Sequence, residues 1–462
     1  MKIKRSLALG LAGVMASVAL AGCGAPANED GKIRLQIGGW PPESETATVA
    51  TYNGYKEALE TLRPDVTVVP VTGNFSDEKN FAMKAAAKML PTTYTTHFTE
   101  VQKTIRNGYA YDITDILKER GLLDALNPVL LETVKGSDGK VYAFPERTYV
   151  MGLSLNKKLF EQAGLVNEDG TVKAPDTYEQ LAEYAKIIKD KTGKAGIAFC
   201  TANNCGGWHF MNIAWSYGVE FMKQREDGTW EATFNTPEAV AALQYIKDLK
   251  WKYDVLPSDT VIDQQTGFKL IAIDEAAMFI SSPAQGIVSK FGMDPMNYAQ
   301  AKVPAGPAGR FAQMGGGVYM FSNTATKEEV EAAFDWLKVM GLAEPNLDDA
   351  ATAAKEATYK ADLEEKGVVF PMAPIPVWSA PERVAKEEEL NAKYCNVDKK
   401  NFASYMDMSD VTIKPEEPVA CQQLYAVLDG CIQEVITNKD ADCAALIAKA
   451  CNDFQVNHLD KN

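Results

Sequence analysis

Two strand patterns enclose one helix pattern near the beginning of the chain. Residues 33–37 (IRLQI) alternate apolar and polar side chains, and the GGWPP run at 38–42 ends that pattern. A helical stretch follows to Leu62, and residues 66–71 (VTVVPV) read as a second strand. A strand, a helix and a strand within 40 residues predict a βαβ unit with a parallel strand pair.

Further helices begin at recognisable capping sequences. Thr177 precedes Gln180 and Thr326 precedes Glu329, each with capping-box spacing. Thr236 stands directly before Pro237, which suits the first turn of a helix. Helices alternate with short strands along the chain without a repeat, so we predict an α/β architecture. No Pro-rich or Ser-rich linker separates domains between 32 and 415, which favours a hinge between two lobes.

The amino-terminal residues have the pattern of an export signal. Lys2, Lys4 and Arg5 precede an apolar run of about 14 residues, which is too short to span a bilayer as a stable helix. The following LAGC at 20–23 resembles the cleavage site of bacterial lipoproteins. We therefore expect residues 1–22 to be a lipoprotein signal peptide and 23–31 a tether. A lipid on Cys23 would anchor the chain outside the cytoplasm at the cell membrane. The alternative is an ordinary secretory signal followed by a chance cysteine.

Charge and motif content exclude several classes of function. The chain has 47 basic and 62 acidic residues and a net charge of −15. This acidity argues against nucleic-acid binding, which needs clustered Lys and Arg. The sequence contains no Gly-x-Ser-x-Gly, His-Glu-x-x-His or P-loop motif, and no cofactor-binding fingerprint. Binding is therefore favoured over catalysis and no cofactor is expected, although the paired carboxylates of a glycosidase would leave no local motif.

Seven cysteines follow Cys23, and an exported protein can oxidise them. Cys200 and Cys205 are spaced to close a small loop, and Cys431 and Cys451 could face each other across a helical hairpin. The odd number leaves at least one free thiol if disulfides form. A metal site is the alternative, but no Cys-x-x-Cys occurs and the three histidines are scattered, so we assign no metal ligands.

A series of motifs resembles one protein family. The series begins with GKVYAFP at 139–145 and GLSLNKKLFEQAGL at 152–165, and it continues with APDTYEQL at 174–181. GGW at 206–208, FNTPEA at 234–239, PAGP at 304–307 and GGG at 315–317 follow in order. The chain is similar over nearly its whole length to the family 1 extracellular solute-binding proteins. These are the sugar-binding lipoproteins of ABC importers, related to maltose-binding protein.

The resemblance implies a type II periplasmic-binding-protein fold, with two discontinuous α/β lobes joined by three chain crossings. We expect the crossings near 146–150, 280–283 and 341–346. Lobe one would comprise 32–147 plus 283–341, and lobe two 148–282 plus 342–462.

The implied function is capture of a sugar, most readily an oligosaccharide, between the lobes and its delivery to the permease subunits of an ABC importer. The protein would be a monomer without enzymatic activity. Three alternatives stay open: a membrane-anchored glycoside hydrolase, a binding protein for a non-sugar solute such as a polyamine or a metal chelate, and a surface adhesion or scaffold protein.

A sugar needs aromatic planes for its C–H faces and polar side chains for its hydroxyl groups. Such side chains are expected where strands turn into helices and at the hinge. The candidate ligand-binding residues are Trp40, His97, Phe98, Glu100, Glu146, Arg147, Tyr149, Trp208, Trp215 and Trp378. For each, the alternative is packing within one lobe or ion pairing in a solvated hinge. Trp251 and Trp336 lie within amphipathic helix patterns and are interpreted as core residues.

Overall fold

The computed structural model describes residues 31–75, 78–259 and 261–461. The predicted signal peptide and Cys23 lie outside the described residues. The strands are β1 (Ile33–Trp40), β2 (Val66–Thr72), β3 (Thr93–His97), β4 (Ala143–Val150), β5 (Gly152–Asn156), β6 (Met222–Gln224), β7 (Trp230–Ala232), β8 (Met278–Ser281), β9 (Tyr298–Lys302), β10 (Phe311–Phe321) and β11 (Thr412–Pro415).

The helices alternate with these strands. They are α1 (Thr46–Leu62), α2 (Glu78–Ala86), α3 (Phe98–Arg106), α4 (Thr114–Glu119), α5 (Pro128–Val134), α6 (Lys157–Ala163), α7 (Tyr178–Thr192), α8 (Cys205–Tyr217), α9 (Pro237–Trp251), α10 (Gln264–Ala272), α11 (Gln285–Ser289), α12 (Lys327–Val339), α13 (Asp349–Lys366), α14 (Pro381–Tyr394), α15 (Ala403–Met406), α16 (Cys421–Thr437) and α17 (Cys443–Asn457), with short 3₁₀ turns at Pro295–Asn297, Lys399–Phe402 and Leu459–Lys461.

The predicted capping residues begin their helices. The Thr177 hydroxyl accepts a hydrogen bond from the backbone N–H of Gln180, and Thr236 accepts one from that of Ala239. Thr326 forms a complete capping box with Glu329. Each cap satisfies a backbone donor that the first helical turn leaves without a partner. The sequence therefore predicted these three helix starts to the residue.

The main sheet of the described residues has six strands in the order β11-β10-β3-β1-β2, with β4 paired to β10. Strands β1 and β2 are parallel from Ile33 opposite Val66 onwards, which confirms the predicted βαβ unit. Strand β10 runs antiparallel to both β3 and β4. A second sheet, β8-β5-β9, is antiparallel and lies in the other half of the molecule.

Two hydrophobic cores define the two lobes. The core of lobe one contains Leu35, Phe144 and Val318, among others. The core of lobe two contains Val150 and Ala312, with the residues of α7, α8, α9 and α16. A smaller cluster around Phe279 and Tyr298 extends lobe two. Strands β4 and β10 therefore begin in one core and end in the other, and they form a two-stranded hinge.

The lobe boundaries differ from the expected ones after residue 282. Strand β9 pairs with β5, so the segment 283–311 packs in lobe two, although we expected it in lobe one. The second crossing consequently lies within β10. Ala343, Ala354 and Trp378 pack in the core of lobe one, whereas 342–462 was expected in lobe two. Motif order cannot reveal these exchanges, because the partners in each core are distant in sequence.

Candidate functional site

The hinge is built from β4 and a glycine triplet in β10. Tyr149 lies opposite Gly315, and Arg147 lies opposite Gly317. A Cβ atom on Gly316 would be only 2.0 Å from the carbonyl oxygen of Arg147, and one on Gly315 would be 2.3 Å from the hydroxyl of Tyr149. The absence of side chains on the triplet therefore lets β4 lie close to β10 and lets the tyrosine ring lie across the backbone.

Glu146 and Arg147 place opposite charges at the hinge. Nη1 of Arg147 lies 3.5 Å from Oε2 of Glu146, and the side chains are 69% and 16% exposed, respectively. The neighbouring carboxylate raises the pKa of Arg147. Oε2 of Glu146 is buried and has no hydrogen-bond donor among the described residues. The site therefore combines an accessible guanidinium donor with an acceptor that lacks a hydrogen-bond partner.

Lobe one contributes His97 and Phe98 at the end of β3. Neighbouring residues desolvate the imidazole of His97 in part, and this effect together with the charge of Arg147 lowers its pKa. The imidazole is therefore mainly neutral at pH 7. Phe98 packs on the hinge, because a Cβ atom on Gly316 would lie 2.8 Å from its ring. Glu100 lies in the first turn of α3 and lines a polar cavity of about 320 Å³ between α3 and the start of α16. These residues border the space between the lobes.

Trp40 is 8% exposed and packs in the core of lobe one. Its ring centroid lies 5.3 Å from that of Tyr52 and 5.8 Å from that of Trp336. Burial and the charge of Glu146 raise the pKa of Tyr52 to about 12. Tyr52 thus lies between Trp40 and the hinge charges. Tyr52 was not predicted as a site residue, since it lies within a helix pattern with no distinguishing motif.

Trp208 and Tyr149 bring lobe two to the hinge. Their rings are in edge-to-face contact, with centroids 6.1 Å apart and planes at 88°. Both side chains are partly buried. Trp208 lies in the first turn of α8, after the Cys200–Cys205 disulfide, whose formation confirms the predicted loop closure. The structure therefore brings together Glu146, Arg147, Tyr149 and Trp208 with His97, and we call this group the cleft.

Glu416 is a second residue that the sequence analysis missed. The hydroxyl of Tyr425 donates to its Oε1 at 2.9 Å and accepts from Nε2 of Gln313 at 2.7 Å. Burial is the main reason why the pKa of Glu416 is raised to about 7. Glu416 and Phe98 line one cavity of about 530 Å³ between the lobes. No sequence motif marks Glu416. It lies in a loop that meets the hinge only in the folded chain.

Two predicted aromatic residues, Trp215 and Trp378, pack almost entirely within the cores of the lobes. Trp215 is 1% exposed in the core of lobe two, and the ammonium group of Lys414 lies 5.0 Å from its ring. Trp378 is 2% exposed, packs in lobe one and contacts the guanidinium of Arg383. One edge of Trp378 lines a cavity of about 180 Å³ that Glu146 and Arg147 also line.

The two tryptophans interpreted as core residues differ from each other. Trp336 is fully buried, which confirms that interpretation. Trp251 is 37% exposed, so its interpretation as a core residue was wrong. It lies at the end of α9, where its indole N–H donates to the carbonyl oxygen of Val435 at 2.8 Å.

One cysteine–histidine cluster has the composition of a metal site. The sulfurs of Cys200 and Cys205 and one ring nitrogen of His209 lie within 4.8 Å of one another, all of them buried. The two sulfurs form the disulfide, so neither is a thiolate ligand, and burial lowers the pKa of His209 to about 3. The arrangement is a disulfide that joins the first residue of α8 to the segment before it. The alternative disulfide between Cys431 and Cys451, which the sequence allowed, does not form, since both cysteines are free thiols.

The comparison with protein families decides the assignment. A family model for the bacterial extracellular solute-binding proteins matches residues 43–344, which is more than half of the chain. The chain belongs to this family. A relative from Brucella abortus (strain 2308) described as a binding protein is 25% identical to this solute-binding protein over 336 residues. That match covers 71% of this chain and 76% of the relative.

Solved structures show the same two-lobed fold. The GacH receptor of Streptomyces glaucescens, solved without ligand and with acarbose, has a TM-score of 0.66 at 20% identity, over 92% of this chain and 98% of that one. The cyclic α-maltosyl-1,6-maltose binding protein of Arthrobacter globiformis has a TM-score of 0.64 at 21% identity, over 92% and 100%. Across the described residues of this solute-binding protein, we find no helix with the length and apolar character needed to cross a bilayer.

Proposed function

We propose that this solute-binding protein captures a carbohydrate, most readily an oligosaccharide, in the cleft. The observation that carries the proposal is the contact between Tyr149 and Trp208 beside the Glu146–Arg147 pair. Aromatic rings pack on the apolar C–H faces of a sugar, and a carboxylate and a guanidinium bond its hydroxyl groups. The buried oxygen of Glu146 that lacks a donor fits a ligand hydroxyl.

Binding is coupled to closure of the two lobes. His97 belongs to lobe one and Trp208 to lobe two, so a ligand makes both sets of contacts only when the lobes approach each other. A ligand with this preference shifts the population toward the closed form. The closed form then delivers the sugar to the permease subunits of an ABC importer, which other chains supply. The proposed role is capture without catalysis.

The ligand class also has support from proteins of the same fold. The Streptomyces receptor was solved with acarbose, and the Arthrobacter protein is named for a cyclic maltose derivative. This chain shares their two-lobed fold and has aromatic and charged side chains at its hinge.

Isothermal titration calorimetry with gluco-, xylo-, galacto- and fructo-oligosaccharides tests the proposal. We expect one series to bind, and Trp208→Ala and Glu146→Gln to weaken that binding. Trp251→Phe is the matched control, since that indole lies outside the cleft. No binding across the panel would contradict the proposal. A thermal shift with polyamines or metal chelates would then point to a non-sugar solute, and product release from a chromogenic glycoside to a hydrolase.

We further propose that a lipid on Cys23 holds the protein at the outer face of the cell membrane. The LAGC sequence at 20–23 supports this proposal. Metabolic labelling with an alkynyl fatty acid should label the wild-type chain and should not label Cys23→Ser. A labelled Cys23→Ser variant, or an unlabelled and unanchored wild-type protein, would contradict it.

A further inference from the structure

The first turn of α8 is capped from another helix. Asn204 precedes the helix in a left-handed conformation, with φ of 66°, and its side chain makes no capping hydrogen bond. Asp429 of α16 takes that role. Its Oδ1 accepts from the backbone N–H of Gly207 at 2.6 Å, and its Oδ2 accepts from that of Asn204 at 2.7 Å. A carboxylate at this position also interacts favourably with the positive end of the helix dipole.

Two glycines make this close approach possible. A Cβ atom on Gly207 would lie 2.3 Å from the carbonyl oxygen of Tyr425, and one on Gly206 would lie 2.7 Å from Oδ1 of Asp429. The start of α8 therefore rests directly on the backbone of α16. Asp429 is 6% exposed, so its carboxylate is packed between the two helices.

Trp208 follows immediately in the same turn. Its backbone N–H donates to the carbonyl oxygen of Asn204, so its position depends on how that turn is held. The ring must point toward the hinge to keep its edge-to-face contact with Tyr149. Asp429 accepts from the backbone N–H groups of Asn204 and Gly207, which both precede Trp208 at the start of α8. Asp429 is not itself part of the cleft.

We propose that Asp429 is a positioning residue for Trp208, which fixes the aromatic wall that lobe two presents to the ligand. The inference rests on the proposed function, because it assumes that Trp208 contacts a saccharide. Removing the carboxylate leaves two backbone donors of the first turn without their acceptor. The turn can then fray or rotate, and the indole ring is no longer held against Tyr149. Asp429 thereby contributes to ligand affinity through the first turn of α8, without contacting the ligand itself.

Substitutions at Asp429 test this role against a matched cap. Asp429→Ala removes both acceptors, and Asp429→Asn retains one. Asp442 is the control, since its Oδ1 also accepts two backbone N–H groups, from Ala444 and Ala445, at the start of α17. We expect Asp429→Ala to weaken binding of the tightest saccharide in the panel about five- to tenfold, and Asp429→Asn to weaken it less. Asp442→Ala should lower the melting temperature and leave affinity unchanged.

A ligand-independent measurement separates this inference from the proposed function. In protein labelled with 5-fluorotryptophan, Trp208→Phe assigns the ¹⁹F resonance of Trp208. We expect that resonance to shift or broaden in Asp429→Ala, to move less in Asp429→Asn, and to stay in place in Asp442→Ala. An unchanged Trp208 resonance in Asp429→Ala, or equal losses of affinity in the Asp429 and Asp442 variants, would overturn the inference. If no saccharide binds the wild type, the proposed function fails, while the ¹⁹F result still decides whether Asp429 positions the ring.

Discussion

Replacing Gly316 by alanine should damage the hinge more than any other change in the glycine triplet. The added Cβ atom would lie 2.0 Å from the carbonyl oxygen of Arg147 and 2.8 Å from the ring of Phe98. The first contact is with backbone, so no side-chain rotation relieves it. Strand β4 must move away from β10, and the movement disturbs the pairing of Gly316 with Thr148.

The expected loss of stability follows from two opposing effects. Forcing an extra methyl group into a packed site costs about 1–3 kcal/mol. The alanine also restricts the unfolded chain, which stabilises the native state by about 0.4–1 kcal/mol. The net decrease in the free energy of unfolding is therefore about 1–2 kcal/mol. For a lobe of about 200 residues this lowers the melting temperature by roughly 2–8 °C.

The neighbouring Gly317 provides a contrast in the same strand. A Cβ atom there would lie 2.5 Å from Oε2 of Glu146, which is the movable end of a side chain. We expect Gly317→Ala to change stability little, but to displace the carboxylate and weaken saccharide binding. Gly430→Ala is the control, because a Cβ atom at that position in the interior of α16 would have no neighbour within 4 Å. There alanine should stabilise the protein by about 0.5–1 kcal/mol.

Urea unfolding and differential scanning calorimetry measure stability, and isothermal titration calorimetry measures affinity. The reasoning would be refuted if Gly316→Ala were as stable as the wild type and bound its ligand equally well. It would also be refuted if Gly317→Ala lost more stability than Gly316→Ala, since the backbone contact would then not be the deciding one.

Three further predictions concern buried groups. Burial raises the pKa of both Glu416 and Glu417 to about 7, so the folded protein holds protons that the unfolded chain releases. The free energy of unfolding should therefore fall as pH rises from about 5 to about 8. In urea titrations at several pH values, the double variant Glu416→Gln, Glu417→Gln should show a flatter fall. Reducing the Cys200–Cys205 disulfide should lower the free energy of unfolding by about 2 kcal/mol. Iodoacetamide in urea, followed by mass mapping, should label both cysteines only after reduction. Labelling of either cysteine before reduction would contradict the disulfide. Arg383 is buried and donates to the carbonyl oxygens of Gly341 and Glu344 and to Glu387. In Arg383→Met, Lys355 still pairs with Glu387, but the two carbonyl oxygens lose their donor. The free energy of unfolding should therefore fall by about 2–4 kcal/mol, and a loss below about 1 kcal/mol would show that the network is dispensable.

Local signals in the sequence were sufficient for much of the fold. The parallel pairing of β1 and β2 and the caps at Thr177, Thr236 and Thr326 depend on residues close together in the chain. Helix caps and strand patterns of this kind depend only on residues a few positions apart, so they can be predicted from the sequence. The lobe boundaries were less predictable, because β9 takes its place in lobe two by pairing with β5, about 140 residues away.

The sequence by itself determined the α/β elements, the small disulfide-closed loop and the aromatic and charged residue types available for a ligand. It could not determine which face each tryptophan presents. Trp208 and Trp215 share one helix, yet only Trp208 contacts Tyr149 at the hinge. Trp215 is enclosed in the core of lobe two. Tyr52, Glu416 and Asp429 acquire their environments only when distant segments meet. Burial, the pKa of Glu416 and the orientation of Trp208 are properties of that assembly, and only the tertiary structure decided them.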